Sequence, residues 1–283
     1  MKLDNLEIKK ILMNCINHIE SKKYIGLDPW DGLNTKEFKK LYSSRKSKLA
    51  IMHLHSHLPL NIRSSFGVKS ELNCKGLGLM IETYLNLYHL EENPDYLKKA
   101  EKLAIKILNL RNSSYSELCW GYPFPWETRF RTLEKNAPNV VTTYFVIRSF
   151  FSLNNLVAKS SFPALFSSSG DFVKRNLFRF EDDSGLCFSY TPFDKFQVLN
   201  ASLMAAEILS ISYIFNQKKS DYDLAKAALD FVIDKQNSDG SWNYALTHKT
   251  GLGLDKSGKM QIDWHQGFVI DSINNLVKNL NLK

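Results

Sequence analysis

The chain predicts an all-α fold, an α/α toroid made of a complete or incomplete double ring of helical hairpins. Two observations carry this. From Gly76 onward, segments that are apolar all round alternate with segments that are apolar along one stripe only. Two concentric rings require that alternation, because an inner helix is covered on every side and an outer one meets solvent. A short motif is also written three times, as Cys119-Trp120-Gly121-Tyr122, Cys187-Phe188-Ser189-Tyr190 and Ser241-Trp242-Asn243-Tyr244. A recurrence of roughly 50–70 residues marks one supersecondary unit used repeatedly, with its loops gathered on one face. Nothing in the chain reads as a convincing block of strands.

In chain order, Leu3 to Ser21 reads as an amphipathic helix with Leu6, Ile8, Ile11, Leu12, Cys15, Ile16 and Ile19 as its apolar stripe. A turn-rich loop, Gly26 to Asn34, follows. Thr35 is the N-cap candidate of a second helix reaching His57, before Pro59. The connection from Leu58 to Cys74 has no clear period and carries Arg63, Lys69 and Lys75. Residues 1–75 are thus the less regular part of one domain spanning 1–283, and the hairpin repeats fill 76–283. Gly76–Leu90 reads as buried, and Pro94–Leu110 as amphipathic with proline in its first turn. Val140–Val157 is buried-type, Pro163–Phe180 amphipathic and serine-rich. Val198–Phe215 is buried-type again, Asp221–Lys235 amphipathic, and Ile262–Leu280 buried-type. The inner helices are expected to be more buried than Pro94–Leu110 and Asp221–Lys235.

Composition narrows the partners. The formal charge is +8, with lysines spread along the chain and no dense basic run of the nucleic-acid type. An anionic glycan remains compatible with that balance. No apolar run is long enough to span a membrane. Cys15, Cys74, Cys119 and Cys187 lie far apart and read as buried free thiols of a reducing compartment. Met1 to Glu7 lacks the apolar core of a signal peptide, so the expected location is cytoplasmic.

Several loops together resemble a family known as VpsJ-like polysaccharide biosynthesis proteins. They are Asp28-Pro29-Trp30-Asp31-Gly32-Leu33-Asn34, Lys75-Gly76-Leu77-Gly78-Leu79, the first two copies of the recurring motif, Gln236-Asn237-Ser238-Asp239-Gly240-Ser241-Trp242 and Asp263-Trp264-His265-Gln266-Gly267-Phe268. The resemblance implies an α/α toroid related in shape to terpenoid cyclases, protein prenyltransferases and glucuronyl-processing enzymes, and a role with glycans.

Gln236 to Trp242 is also similar to the QW motif of triterpene cyclases. Its physical content is structural: a Gln bonding exposed backbone at a helix end, and a Trp packed over a turn that Gly240 permits. Neither a D-x-D-D nor a D-D-x-x-D run is present; Glu181-Asp182-Asp183 fits neither, which argues against prenyl chemistry. No cofactor is implied. No metal is expected either: Cys187, Asp263 and His265 come from distant segments, and His53, His55 and His57 alternate around a helical stretch.

The loop face holds the site candidates. Its catalytic set is Asp263 and His265 with one of Asp28, Asp31 or Asp194, since glycosidic chemistry uses paired acid and base groups. Its substrate-binding set is Trp30, Trp120, Tyr122, Trp126, Glu127, Arg129, Tyr190, Asn200, Trp242, Tyr244 and Trp264. Aromatic rings stack on the C–H faces of sugars, while carboxylates and amides bond the hydroxyls. Arg129, Arg63, Lys69 and Lys75 suit a uronate or diphosphate. Any one of these aromatics can equally be rim packing, and Asp194 and Asp263 can cap helices. The leading expectation is a glycan hydrolase, lyase or epimerase. The rivals are a non-catalytic binder of glycan or lipid-linked glycan, and a helical scaffold with an exposed apolar patch.

Overall fold

The computed structural model describes residues 5–35, 44–57, 63–128, 131–158, 161–246 and 264–282. The chain forms two compact units, Met1–Leu77 with Tyr122–Ala137, and Gly78–Gly121 with Pro138–Lys283.

The first unit holds α1 (Asn5–Ser21), β1 (Ile25–Gly26), α2 (Arg45–His57), β2 (Glu71–Leu72) and the short hairpin β3 (Trp126–Glu127) and β4 (Thr132–Leu133). β1 pairs antiparallel with β2, and β3 with β4. The stripe expected on α1 is largely in solvent. Ile16 is buried, but Leu6, Ile8, Ile11 and Leu12 are exposed, and so is Cys15, which corrects its reading as a buried thiol. The other three cysteines are buried and unpaired. The cap of α2 is Ser44 rather than Thr35: the Ser44 hydroxyl accepts from the Ser47 amide at 3.1 Å. Thr35 is buried and spends its hydroxyl on the Phe66 carbonyl at 3.0 Å.

The second unit is the helical array. α3 (Cys74–Glu91) enters it, followed by α4 (Pro94–Asn109), α5 (Val140–Val157), α6 (Phe162–Asn176), the hairpin β5 (Arg179–Asp182) and β6 (Gly185–Phe188), β7 (Gln197–Val198), α7 (Leu199–Asn216), α8 (Lys219–Asp234), β8 (Ala245–Leu246) and α9 (Trp264–Asn279). The fold class is the predicted one: all-α, an α/α toroid of inner and outer helices. Every residue from Leu199 to Ser212 of α7 is buried, and α5 is nearly as enclosed. α4 and α8 bury one stripe each, Tyr96, Ala100, Leu103, Ala104 and Ile107 on α4, and Ala225, Ala228, Leu229, Phe231 and Val232 among others on α8. α7 packs against α5, α6, α8 and α9, so it is the centre of the core.

The helix α9 departs from expectation. It packs on α7 and α8 through Val269, Ser272 and Leu276, but Ile270 and Val277 on its other side are exposed, so it is no better buried than α4 or α8. Apolar content set the expectation; the neighbours a helix actually has set its burial. The β5–β6 hairpin was not foreseen, and it places Cys187 and Phe188 in a strand. Gly185 opens β6 with φ +138°, and a Cβ there would sit 2.2 Å from the Ala227 carbonyl oxygen of α8. Gly240 also has positive φ (+87°) but open space around it. Gly185→Ala is therefore expected to cost at least about 2 kcal/mol, strain plus a backbone collision, against about 1 kcal/mol for Gly240→Ala. Equal urea midpoints for the two variants would contradict the close packing of β6 on α8.

Candidate functional site

The thrice-written motif is a joint between helices. The Trp120 indole is fully buried and donates Nε1–H to the Ile107 carbonyl in the last turn of α4 at 2.9 Å. Trp242 does the same to Val232, in the last turn of α8, at 2.7 Å. Both add a second donor to last-turn carbonyls, which also accept the Leu110 amide at 2.9 Å (Ile107) and the Lys235 amide at 3.2 Å (Val232). The Phe188 ring has no N–H to offer, and there the Arg179 guanidinium donates to the Lys174 carbonyl near the end of α6 at 2.6 Å. Each aromatic is then clamped to the following inner helix. The backbone amides of Trp120, Phe188 and Trp242 donate to Thr143 Oγ1, Ser202 Oγ and Gln266 Oε1 at 3.1, 3.0 and 3.2 Å. The last position of the motif locks neighbouring repeats together: the Tyr190 carbonyl accepts from Val140 N at the start of α5, and the Tyr244 carbonyl from Leu199 N at the start of α7. Gln236 bonds the Gly240 carbonyl at 2.9 Å, as its sequence context suggested. Trp120 and Trp242 are thus core wedges, and no face of Trp120 is open to a ligand.

The first unit uses its acids and bases within its own loops. Asp28 accepts from the Trp30 amide at 3.0 Å and from Asn73 Nδ2 at 3.2 Å. Asp31 is 2% exposed, accepts from the Asp28 amide at 2.8 Å and lies 3.5 Å from Arg63 Nη1. Burial raises its pKa against the opposing pull of that amide and of Arg63. Arg63 also donates to the Asp28 carbonyl at 2.6 Å, and the Lys69 carbonyl accepts from Asn34. Burial lowers the Lys75 pKa, with Asp28 opposing it. Glu127 is buried, accepting from Thr132 at 2.6 Å with Arg45 3.5 Å away. Trp30 meets the His53 ring edge-on at 5.6 Å, and Tyr122 packs between Phe124 and Trp126. The side chains of His55 and His57 lie outside the described residues.

The second unit brings a different set together. From the loop before β8 into the inner helices runs a contiguous series of rings: Tyr244 and His265 at 5.3 Å, His265 and Phe268 at 6.0 Å, Phe268 and Phe145 at 5.9 Å, Phe145 and Tyr144 at 5.2 Å. Tyr244, His265 and Phe268 are half-buried, whereas Tyr144 is enclosed. Below Tyr144 lies a charged cluster. Arg148 of α5 donates to the Tyr144 hydroxyl at 2.8 Å and pairs with Asp271 of α9. Its side chain and that of Asp271 are 36% and 40% exposed. Behind them Glu207 of α7, 2% exposed, accepts on Oε2 from Asn275 Nδ2 of α9 at 3.0 Å, and the hydroxyls of Ser272 and Tyr144 also bond its carboxyl. Glu82 of α3 accepts from Ser152 of α5 at 2.7 Å. Burial raises the pKa of both glutamates against the charge of Arg148.

Of the predicted residues that are described, only Tyr244 and His265 belong to this series. Asp194 stands apart in a turn, accepting from Thr191 and from the Phe196 amide, with burial raising its pKa. Asn200 is buried with Oδ1 unpartnered. Tyr190 is half-buried. Asp263 and Arg129 lie outside the described residues, as does the side chain of Trp264. Tyr144, Arg148, Glu82, Glu207 and Asp271 were missed. Their signal was present: Arg148 and Glu207 are the lone charges of two otherwise apolar runs, Val140–Val157 and Val198–Phe215, and a charge inside a buried helix must be paired or neutralised.

No family model and no curated protein matches the chain, so its resemblance to VpsJ-like proteins rests on the loop motifs alone. Among solved structures it is similar to a glycosyl hydrolase family 88 protein from Bacteroides vulgatus, with TM-score 0.50 and 11% identity over 87% of this chain and 71% of that one. It is this likeness that shows the α/α toroid fold. A cellobiose 2-epimerase from Spirochaeta thermophila DSM 6192 aligns with TM-score 0.35 and 10% identity over 90% of this chain and 89% of that one. Among the described residues, no helix is long and apolar enough to cross a membrane, and no group of three His, Cys, Asp or Glu side chains could hold a metal ion.

Proposed function

We propose that this protein is a carbohydrate-active protein of cytoplasmic polysaccharide assembly, and that its ligand lies on the inner-helix face of the second unit, from Tyr244 and His265 to Arg148 and Asp271. The observation that carries the reading is the ring series ending on a charged, solvent-reaching cluster. Half-buried rings offer flat apolar faces to sugar C–H groups, and the Arg–Asp pair offers donors and acceptors to hydroxyls at one end of them. The fold shared with a protein named as a glycosyl hydrolase supports it, as do the loops that resemble polysaccharide biosynthesis proteins.

Within this reading His265 moves the proton. Its ring lies at the start of α9 between Tyr244 and Phe268, and an imidazole can both accept and donate a proton. Glycan-array binding followed by product analysis identifies the substrate. On that substrate, His265→Gln is expected to lower turnover by about 10²–10⁴-fold with melting little changed. A variant that loses stability while keeping activity makes His265 a packing residue and removes this role. A second reading, non-catalytic glycan binding, is favoured by Asp28, Asp31 and Asp194, whose carboxylates each accept a hydrogen bond within their own loop, with Asn73 also bonding Asp28. It predicts array binding without product.

A further inference from the structure

The side of α9 turned away from α7 and α8 is an uncovered apolar strip. Ile270 is 60% exposed and Val277 37%, and Asn274 between them is exposed as well. At 3.6 residues per turn these three stand on one line along the helix, with the two apolar residues two turns apart. That is the spacing of a seam on which a second helix lies. Asp271 and Lys278, also two turns apart, run together along one edge of the strip, and Gln266 and Ile273 run along the other. Arg148 engages Oδ2 of Asp271, yet the Asp271 side chain keeps 40% exposure, which leaves the carboxylate within reach of a second cation.

What covers the strip is indicated by its own symmetry. Turned end for end about an axis through Asn274, α9 matches itself: Ile270 comes opposite Val277, and Asp271 comes opposite Lys278. In an antiparallel pair the same edges of the two helices meet. The acid of each copy therefore faces the base of the other, at both ends of the seam. A parallel pair sets the charged edge against the edge of Gln266 and Ile273, where it finds no opposite charge. We infer that a second copy of this chain covers the strip, in an isologous dimer whose two α9 helices pair antiparallel about Asn274. One helix pair buries less than a standard-size interface, which makes the dimer weak, with Kd on the order of 10⁻⁵–10⁻⁴ M.

Sedimentation velocity of the full chain over about 2–200 µM spans that range and should show monomer passing into dimer. Ile270→Glu meets the seam twice in a symmetric pair, so it should weaken association at least about tenfold. Its melting should be unchanged, because the side chain it replaces is mostly in solvent. Lys278→Glu sets like charges against each other at both ends and should weaken association about three- to tenfold. A wild type that stays monomeric throughout, or one whose association is the same in both variants, overturns the inference. Cysteine substitution reads the register. In a Cys15→Ser background the remaining cysteines are buried, and Asn274→Cys, on the axis, should give a covalent dimer on mild oxidation. Gly267→Cys, where a new Cβ meets open space, should not, since an antiparallel pair holds its two copies about 20 Å apart. Cross-linking of Gly267→Cys as readily as of Asn274→Cys overturns the antiparallel pairing. A monomer that instead co-sediments with phosphatidylglycerol vesicles, and loses this in Ile270→Glu, assigns the strip to a lipid surface and overturns the dimer.

Discussion

Trp120→Ala is expected to lower the stability of the protein by about 3–5 kcal/mol, the range for truncating a large buried aromatic. The side chain is wholly enclosed, meets Phe150 edge-on at 6.2 Å, and satisfies the Ile107 carbonyl at the end of α4. Truncation removes the packing and one of two donors to that carbonyl, which keeps the Leu110 amide at 2.9 Å, and the rigid helices around it can close the space only in part. Trp242→Ala should fall in the same range, at its lower end, because Trp242 is 6% rather than 0% exposed. Trp120→Phe separates the two contributions: it keeps most of the ring and loses the indole N–H, and should cost about 1–2 kcal/mol. The second repeat has already made that exchange, with Phe188 in the wedge and Arg179 on the Lys174 carbonyl. Urea unfolding of the three variants checks the scheme. A loss below about 1 kcal/mol for Trp120→Ala would mean that the motif does not join the repeats.

The same joint shows what was legible in the sequence. Alternation of buried and half-buried helices is a one-dimensional pattern, and α4, α5, α7 and α8 came out within a residue or two of their expected bounds. The repeated aromatic was visible as a repeat, but its spacing cannot say whether the ring faces a ligand or a helix end. The structure answers through bonds of long sequence separation: Trp242 to Val232 behind it and to Gln266 ahead. The side of α9 that stays in solvent was illegible for a related reason, since Ile270 and Val277 look like core residues until the neighbouring helices are in place. The site divides in the same way. Tyr244 and His265 were reachable because loops beside the recurring motif were expected on one face. Asp28, Asp31 and Asp194 drew notice as acids in loops, yet acids in loops are also what turns use to hold backbone amides. The Arg148 cluster draws one residue or two from each of α3, α5, α7 and α9, and no local spacing encodes that convergence.

A second large effect is expected at Asp221, in the first turn of α8. Asp221 is fully buried, pairs with Lys174 of α6, and accepts from Ser212 Oγ at 2.7 Å and Asn216 Nδ2 at 2.9 Å at the end of α7. One carboxylate thus ties three helices. Asp221→Ala leaves an ammonium, a hydroxyl and an amide facing an empty space, and breaking a buried pair from one side costs about 3–5 kcal/mol. The lower end applies, since Lys174 keeps Asp171 at 3.0 Å and some solvent contact. The pH dependence has a definite sign. Burial alone would raise the Asp221 pKa, but the hydrogen bonds from Lys174, Asn216 and Ser212 outweigh it and hold the group below its usual value. A carboxyl whose pKa is depressed on folding contributes stability that is complete above the unfolded value, about 3.9, and is lost as pH falls through the lower folded one. The gap between wild type and Asp221→Ala in urea midpoint should therefore be constant from neutral pH down to about pH 5 and shrink below about pH 4. If the gap instead persists at full size in strong acid, the carboxylate charge is not what holds α6, α7 and α8 together, and the loss in the variant is one of packing volume alone.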